Sequence, residues 1–331
     1  MIGMAVLGCG RIGRLHARNA ARSERARLLK VYDVAAQAAA GAAAELGVPA
    51  AATLEEVWSD RSIAAVLIAT PTATHLPLVT AGVKAGKALL CEKPVDLDLA
   101  RARECWQEIA PLGARVMIGF NRRFDPSFRT LRERLQRGEI GRLELAIITS
   151  RDPAPPPKEY LEGSGGLFRD MTIHDFDMAR YLAGDIARVH AFGGNLVDPE
   201  IGRRGDIDSC AISLEARSGA LLQINNSRRS VYGYDQRLEV FGASGMLLAA
   251  NQRATSVESW SAERTAAREP VLNFFIERYA EAYRSELDAF LAAVEEGRPM
   301  SPDFEDGVAA LQLAVAAGES LATGAAVSLG G

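Results

Sequence analysis

Short and almost wholly apolar runs alternate with helical patterns over the first 120 residues of the chain. Amphipathic or alanine-rich segments, such as 14–23 and 35–46, separate several of these runs. The runs are too short for helices and are predicted to be buried strands: residues 4–7, 28–32, 64–69, 88–91 and 115–120. Strands that alternate with helices are typical of a doubly wound parallel sheet.

The pattern changes near residue 121, where a basic amphipathic helix is predicted over 128–137. Strand-like runs with short turns between several of them then predict a mostly antiparallel sheet: residues 143–150, 188–193, 209–215, 221–227 and 236–241. A helix at 170–182 is inserted between these strands. Two long helices, 274–296 and 302–322, come last. We therefore predict an α/β Rossmann domain at 1–121 and an α+β domain at 122–331, built on a large open sheet.

The first strand runs directly into a glycine-rich loop, Gly8-Cys9-Gly10-Arg11-Ile12-Gly13. Such glycines let the backbone turn tightly and approach a pyrophosphate, which the next helix binds through its first N–H groups. The second strand ends at Asp33, 20 residues after Gly13, where a carboxylate can accept hydrogen bonds from the adenosine ribose. The alternative is an ordinary glycine turn, but this order of elements predicts a dinucleotide site.

Asp33 also favours NAD over NADP. A carboxylate at this position repels a 2′-phosphate, and the following Val34-Ala35 provides no arginine to bind one. Arg11, within the glycine loop, is the one feature that weakens this preference.

Two further strand ends carry candidate site residues. The strand at 64–69 leads into Thr70-Pro71 and His75, and the strand at 88–91 leads into Glu92-Lys93-Pro94. The carboxyl ends of parallel strands line the ligand crevice of a doubly wound sheet. His75 could contact the cofactor or cap the following helix. Lys93 could point into the crevice, or be a solvated surface lysine.

Asp170 and His174 stand four residues apart in the apolar pattern of 170–182. On one helix this spacing places a carboxylate and an imidazole on the same face, one turn apart. The pair could be a hydrogen-bonded structural pair inside the core. It could instead be catalytic, since imidazole is a suitable base for removing a hydroxyl proton near neutral pH.

Composition excludes several classes of function. The 331 residues are 48% hydrophobic and 24% charged, as in soluble globular proteins, with a net charge of −4. No long basic run is present, so nucleic acid and anionic membranes are not expected partners. The chain shows no export signal and no apolar stretch of membrane-spanning length, which predicts a cytoplasmic protein. None of the four cysteines forms a CxxC, so neither a metal site nor a redox pair is expected.

The motifs together resemble the glucose–fructose oxidoreductase and inositol dehydrogenase (Gfo/Idh/MocA) family in order and spacing across nearly the whole chain. Four features carry the resemblance: Gly8–Gly13, Ala69-Thr70-Pro71, Glu92-Lys93-Pro94, and Asp170 with His174. Within the family, four stretches are similar to the bacterial inositol 2-dehydrogenase branch: 92–98, 119–125, 168–177 and 226–237.

The resemblance implies NAD-linked oxidation of the axial hydroxyl of myo-inositol to 2-keto-myo-inositol. It also implies a homotetramer packed through the open face of the second-domain sheet. The expected cofactor contacts are Gly8, Gly10, Arg11, Ile12, Gly13, Asp33, Thr70, Pro71, His75, Glu92 and Lys93.

For the substrate, His174 is the expected general base and Lys93 the group that stabilises the developing alkoxide. Asp170 would orient the substrate or Lys93. Arg123, Asp152 and Tyr234 match polyol-contacting positions in the family. The alternatives are a surface ion pair for Arg123 and a core aromatic for Tyr234.

Two other functions remain open from the sequence. The same chemistry could act on another polyol or sugar, such as scyllo-inositol, glucose or an anhydrosugar, because one fold carries many substrates. The chain could also be an NAD-binding sensor without turnover. The joint presence of Lys93, Asp170 and His174 argues against the sensor.

Overall fold

The computed structural model describes residues 1–330, apart from the side chain of Lys158. The chain divides into two compact units, Met1–Phe124 with Ala282–Gln312, and Asp125–Glu281 with Leu313–Gly331. The boundary predicted at residue 121 had assigned all of 122–331 to the second domain. Residues 282–312 instead belong to the first unit, where the apolar face of a late helix joins the core.

The first unit is built on a parallel sheet, as the alternating pattern predicted. Its strands are β1 Ile2–Leu7, β2 Ala26–Tyr32, β3 Ala65–Ile68, β4 Ala88–Glu92 and β5 Val116–Gly119, in the order β2-β1-β3-β4-β5. Every neighbouring pair is parallel. The strand order reverses between β1 and β3, and ligands bind at such switch points in doubly wound sheets.

Helices separate the strands of this sheet. They are α1 Arg11–Arg22, α2 Ala36–Leu46, α3 Glu55–Trp58, α4 His75–Lys84 and α5 Leu99–Ile109. All four residues of β3 are buried, as are those of β5, because helices cover both faces of a doubly wound sheet. The sequence pattern missed α5, although Asp98 marks its start by accepting hydrogen bonds from the N–H groups of Ala100 and Arg101.

The second unit contains a seven-stranded sheet that is mostly antiparallel, as predicted. Its order is β11-β10-β6-β9-β8-β7-β14, and β6 and β9 form its parallel pair. The strands are β6 Leu143–Arg151, β7 Ile186–Gly194, β8 Ser209–Ala216, β9 Leu221–Ser227, β10 Asp235–Gly242, β11 Gly245–Ala249 and β14 Val327–Ser328. The short strands β12 Glu258–Ser259 and β13 Ala267–Arg268 pair with each other.

The remaining helices lie between and after these strands. They are α6 Pro126–Gln136, α7 Lys158–Ser164, α8 Leu167–Asp170, α9 Ile173–Ala183, α10 Pro199–Arg203, α11 Phe275–Arg278, α12 Ala280–Glu296 and α13 Phe304–Thr323. Within residues 1–330, no helix combines the length and the apolar character that crossing a bilayer demands.

Candidate active site

The glycine loop after β1 has three glycines with different physical roles. Gly8 has φ +93°, and a Cβ there would lie 2.3 Å from the carbonyl oxygen of Ala69. A Cβ on Gly13 would lie 1.9 Å from the oxygen of Gly8. A Cβ on Gly10 would meet no described atom within 4 Å. The protein's own packing therefore requires Gly8 and Gly13, whereas Gly10 faces open space into which a ligand can come close to the backbone.

The residues around this loop fit a dinucleotide. Helix α1 begins directly after Gly10, and within the described chain no side chain caps its start. The amino terminus of a helix in this setting attracts phosphate through its dipole and its first N–H groups. These residues therefore fit NAD, since the loop leaves space at Gly10 and α1 offers N–H groups to a pyrophosphate.

Asp33 is fixed at the end of β2 by two backbone hydrogen bonds. The N–H of Cys9 donates to Oδ2 at 2.7 Å, and the N–H of Ala35 donates to Oδ1 at 2.8 Å. The carboxylate thus ties the glycine loop to β2 and places a negative charge beside it. Burial, with a smaller effect from Asp33, raises the pKa of the Cys9 thiol to about 11, so this thiol is neutral at physiological pH.

His75 has a role that neither sequence interpretation described. Its side chain is buried, with Nδ1 2.8 Å from the oxygen of Pro94 and Nε2 2.8 Å from the oxygen of Thr70. Burial lowers the pKa of His75, against the opposing effect of the two carbonyls. The imidazole joins the loops that follow β3 and β4. Both ring nitrogens face backbone carbonyls, which favours this structural role over the predicted cofactor contact or helix cap.

Glu92 and Lys93 lie at the carboxyl end of β4, on the same edge of the sheet as the glycine loop. Oε1 of Glu92 is 2.9 Å from Nε2 of His16, and Oε2 accepts the backbone N–H of Lys93 at 3.3 Å. His16 is buried on α1, three residues past Gly13, and the sequence analysis did not select it. An imidazole in the first helix therefore orients Glu92.

The single helix predicted over 170–182 is wrong. Helix α8 ends at Asp170 and α9 begins at Ile173, and the N–H of His174 bonds the oxygen of Met171, three residues earlier, at 3.3 Å. The hydroxyl of Thr172, in the break, donates to Oδ1 of Asn226 at 2.6 Å. This bond ties the break to β9. Asp170 and His174 therefore flank a break instead of sharing one helical face.

Asp170 is held by two residues that the sequence analysis did not select. Its Oδ1 accepts the hydroxyl of Tyr160 at 2.8 Å, and its Oδ2 accepts Nη1 of Arg228 at 3.2 Å. The Arg228 side chain is 1% exposed. A buried guanidinium needs a carboxylate partner, so the adjacent Arg228-Arg229 after the predicted strand 221–227 was the available signal.

Other predicted substrate residues gather at one end of the second sheet. Asp152 follows β6, Tyr234 precedes β10, and the last residue of β6 pairs with the first residue of β10. The N–H of Asp152 donates to the oxygen of Ser227 at 2.9 Å, next to Arg228. The ring of Tyr234 is buried and packs edge-to-face on Tyr279, with centroids 5.9 Å apart. This ring is therefore a core aromatic.

Arg123 lies in the first unit, in the 3-10 turn Asn121–Phe124. Its Nη1 is 3.2 Å from Oδ2 of Asp306, and its side chain is 9% exposed. The ion pair considered from the sequence therefore exists, but it is buried. The predicted substrate residues are divided between the units: Lys93 and Arg123 belong to the first, and Asp152, Asp170, His174 and Tyr234 to the second.

A parallel sheet with this glycine loop and acidic strand end, followed by a unit that carries a histidine and an arginine-bound aspartate, defines an NAD-dependent oxidoreductase. Residues 2–120 match the oxidoreductase family with an NAD-binding Rossmann fold. Residues 128–248 match the GFO/IDH/MocA C-terminal domain. The chain belongs to the GFO/IDH/MocA family of oxidoreductases.

Similar proteins cover the whole chain. The inositol 2-dehydrogenase of Rhizobium meliloti is 45% identical over 325 residues, which are 98% of each chain. The crystal structure of a myo-inositol dehydrogenase from Corynebacterium glutamicum is 46% identical, with a TM-score of 0.97 over 100% of this chain and 99% of that one. A scyllo-inositol dehydrogenase from Lactobacillus casei, solved with NAD(H) and scyllo-inositol, is 30% identical, with a TM-score of 0.91 over 99% of both chains.

Proposed function

We propose that the enzyme oxidises myo-inositol to 2-keto-myo-inositol with NAD⁺ as the hydride acceptor. The observation that carries this substrate is the identity of 45–46% with inositol and myo-inositol dehydrogenases over nearly the full length of both chains. The polar groups of the second unit support it. Asp152, Asp170, His174 and Arg228 offer hydrogen-bonding atoms, and a hexol must exchange many water hydrogen bonds for protein ones.

The proposed mechanism assigns each residue one task. Bound NAD⁺ supplies the hydride acceptor. His174 takes the hydroxyl proton as general base, and Lys93 stabilises the negative charge that develops on that oxygen. Asp170, held by Arg228 and Tyr160, orients a substrate hydroxyl with a carboxylate whose position two donors fix.

A substrate panel tests this proposal. Purified protein is assayed with NAD⁺ against myo-inositol, scyllo-inositol, glucose and an anhydrosugar, and kcat/KM is expected to be highest for myo-inositol. A preference for scyllo-inositol would support the second candidate, which the Lactobacillus casei structure favours. Absence of turnover with every compound, while NAD⁺ still binds, would instead support the sensor.

We also propose that the enzyme is a homotetramer assembled through the open face of the second sheet. Burial alternates along β8 and β9, so one face of this sheet is covered and the other is exposed. The exposed face carries large apolar side chains, a feature of protein interfaces: Leu145, Ile147, Phe192, Leu221, Phe241, Met246 and Leu248.

Light scattering at micromolar concentration tests the assembly, with a tetramer expected. Ile147→Asp should dissociate it, whereas Leu112→Asp, at an exposed apolar residue of the first unit, should not. A wild-type monomer would contradict the proposal.

We place the enzyme in the cytoplasm, in agreement with four buried cysteines that form no disulfide.

A further inference from the structure

A fully buried glutamate in the first unit has no part in the proposed mechanism. Glu286 on α12 is 0% exposed, and neither of its carboxyl oxygens receives a hydrogen bond from any donor within residues 1–330. An ionised carboxylate in such a place is costly, because it has lost its water and gained no donor. A neutral carboxyl avoids this cost and itself becomes a donor.

The charged group that acts on Glu286 is Glu92, the last residue of β4, at the carboxyl edge of the parallel sheet. Burial, with the Glu92 carboxylate as the second cause, raises the pKa of Glu286 well above its usual range. The geometry places Glu92 on the same side of α12: its Oε1 bonds His16, and His16 packs on Tyr283, which lies one turn before Glu286. A protonated Glu286 therefore has Glu92 as a neighbouring acceptor. Two neighbouring carboxyl groups, one of them fully buried, commonly share a single proton in this way.

The other elements around α12 present few ionisable groups. Helix α1 contributes His16, which bonds Oε1 of Glu92, and Tyr283 of α12 packs edge-to-face on His16 with ring centroids 5.3 Å apart. The turn after β5 carries Arg122 and Arg123, the latter paired with Asp306. Residues of β1, β4 and β5 in the core shared with α12 are apolar: Met4, Val6, Leu90 and Met117.

We propose that Glu286 is a positioning residue for the active site: as a neutral carboxyl it donates to Glu92, and the resulting pair with a single negative charge holds Glu92 and the adjoining Lys93 in their working positions. The proton stays on the pair and is not consumed in the reaction. When Glu286 ionises at alkaline pH, two carboxylates repel each other in a buried site, and turnover falls. The effect on turnover rests on the proposed function, because it passes through Lys93.

Isosteric substitution separates this role from a merely structural one. In Glu286→Gln an N–H donor replaces the O–H donor, and the new side chain cannot ionise. The alkaline decline of kcat should then move upward by about one pH unit or more, while KM for myo-inositol changes little. Glu286→Leu removes the donor and should lower kcat over the whole pH range. Asp288→Asn, at an exposed acid of the same helix, is the control and should keep the wild-type profile.

The experiment measures kcat and KM against pH for the wild type and these three variants, with NAD⁺ affinity as the check of folding. Superimposable alkaline limbs for wild type and Glu286→Gln would overturn the proposal, since another group would then set that limb.

A second measurement does not depend on turnover. Infrared difference spectra between wild type and Glu286→Gln at pH 7 should show the carbonyl stretch of a protonated carboxyl in the wild type only. Its absence would overturn the proposal even if the enzyme is fully active on myo-inositol. Its presence in a protein that oxidises no polyol would leave the buried proton established and would refute the proposed function instead.

Discussion

The two units hold their candidate site residues by different means. In the first unit, backbone groups close in sequence or on adjacent strands fix the predicted cofactor residues: Gly8, Gly10 and Gly13 shape the loop, and Asp33 accepts two backbone N–H groups. In the second unit, side chains far apart in sequence fix the site. Asp170 depends on Arg228, 58 residues later, and Thr172 on Asn226, 54 residues later. Local backbone chemistry can be predicted from one sequence, whereas distant side-chain pairing cannot.

Removal of the proposed base should have the largest effect. His174→Ala should lower kcat/KM for alcohol oxidation by roughly 10²–10⁴-fold, the range typical of general acid–base residues. Lys93→Ala should be similarly severe. The double variant should lose less than the product of the two losses, because both groups act on one oxygen in one transition state. Steady-state kinetics check this, with His190→Ala, a histidine on β7, as the control that keeps its activity.

The buried ion pair between Arg228 and Asp170 should contribute more to stability than an exposed pair of the same unit. Arg228→Met leaves Asp170 without its guanidinium and should lower the free energy of unfolding by about 3–5 kcal/mol, since breaking a buried pair strands a charge. Arg188→Met breaks an exposed pair with Glu215 and should cost about 1 kcal/mol or less. Denaturant unfolding measures both. Equal losses would show that Arg228 is not the anchor of Asp170.

Substitutions at two of the loop glycines should affect different properties, stability at Gly8 and NAD⁺ affinity at Gly10. Gly8→Ala imposes a side chain at φ +93° against Ala69 and should destabilise the first unit by about 1–3 kcal/mol. Gly10→Ala meets no described atom and should leave the unfolding midpoint nearly unchanged. It should still weaken NAD⁺ by about tenfold, or 1.4 kcal/mol, by filling the space next to the pyrophosphate. Thermal unfolding and NAD⁺ titration of each variant check this. Undiminished NAD⁺ affinity in Gly10→Ala would place the pyrophosphate elsewhere.

Substitution of Asp33 should have a smaller effect, confined to the preference between NAD⁺ and NADP⁺. Asp33→Ser removes the charge beside the glycine loop, and the preference for NAD⁺ over NADP⁺ should narrow, because the repulsion of a 2′-phosphate disappears. The ratio of kcat/KM for the two cofactors measures it. If the unmodified enzyme uses NADP⁺ equally well, Asp33 does not select the cofactor.

Apolar runs and the positions of glycines were sufficient to predict the parallel sheet, five of the seven strands of the second sheet, the glycine loop and the acid at the end of β2. The helix break at Thr172 could not be predicted, because the side-chain bond that fixes Thr172 reaches Asn226 on β9, 54 residues later. For His75, the two carbonyls that hold it come from separate loops. Helix α12 belongs mainly to the first unit because Leu287, Phe290 and Leu291 enter that core. The apolar pattern of a helix does not indicate which of the two sheets the helix packs against.

The pH dependence of kcat/KM for myo-inositol oxidation, in wild type and His174→Ala with NAD⁺ binding measured separately, tests the central claim most directly. Oxidation needs a neutral imidazole, so the wild-type rate should rise with pH through the titration of His174. The variant should lose this rise together with most of its activity, while its NAD⁺ affinity stays at the wild-type value, because the proposed nucleotide site is the Gly8–Gly13 loop of the other unit. A variant that keeps most of its activity and the same pH profile would contradict the account and make His174 a structural residue.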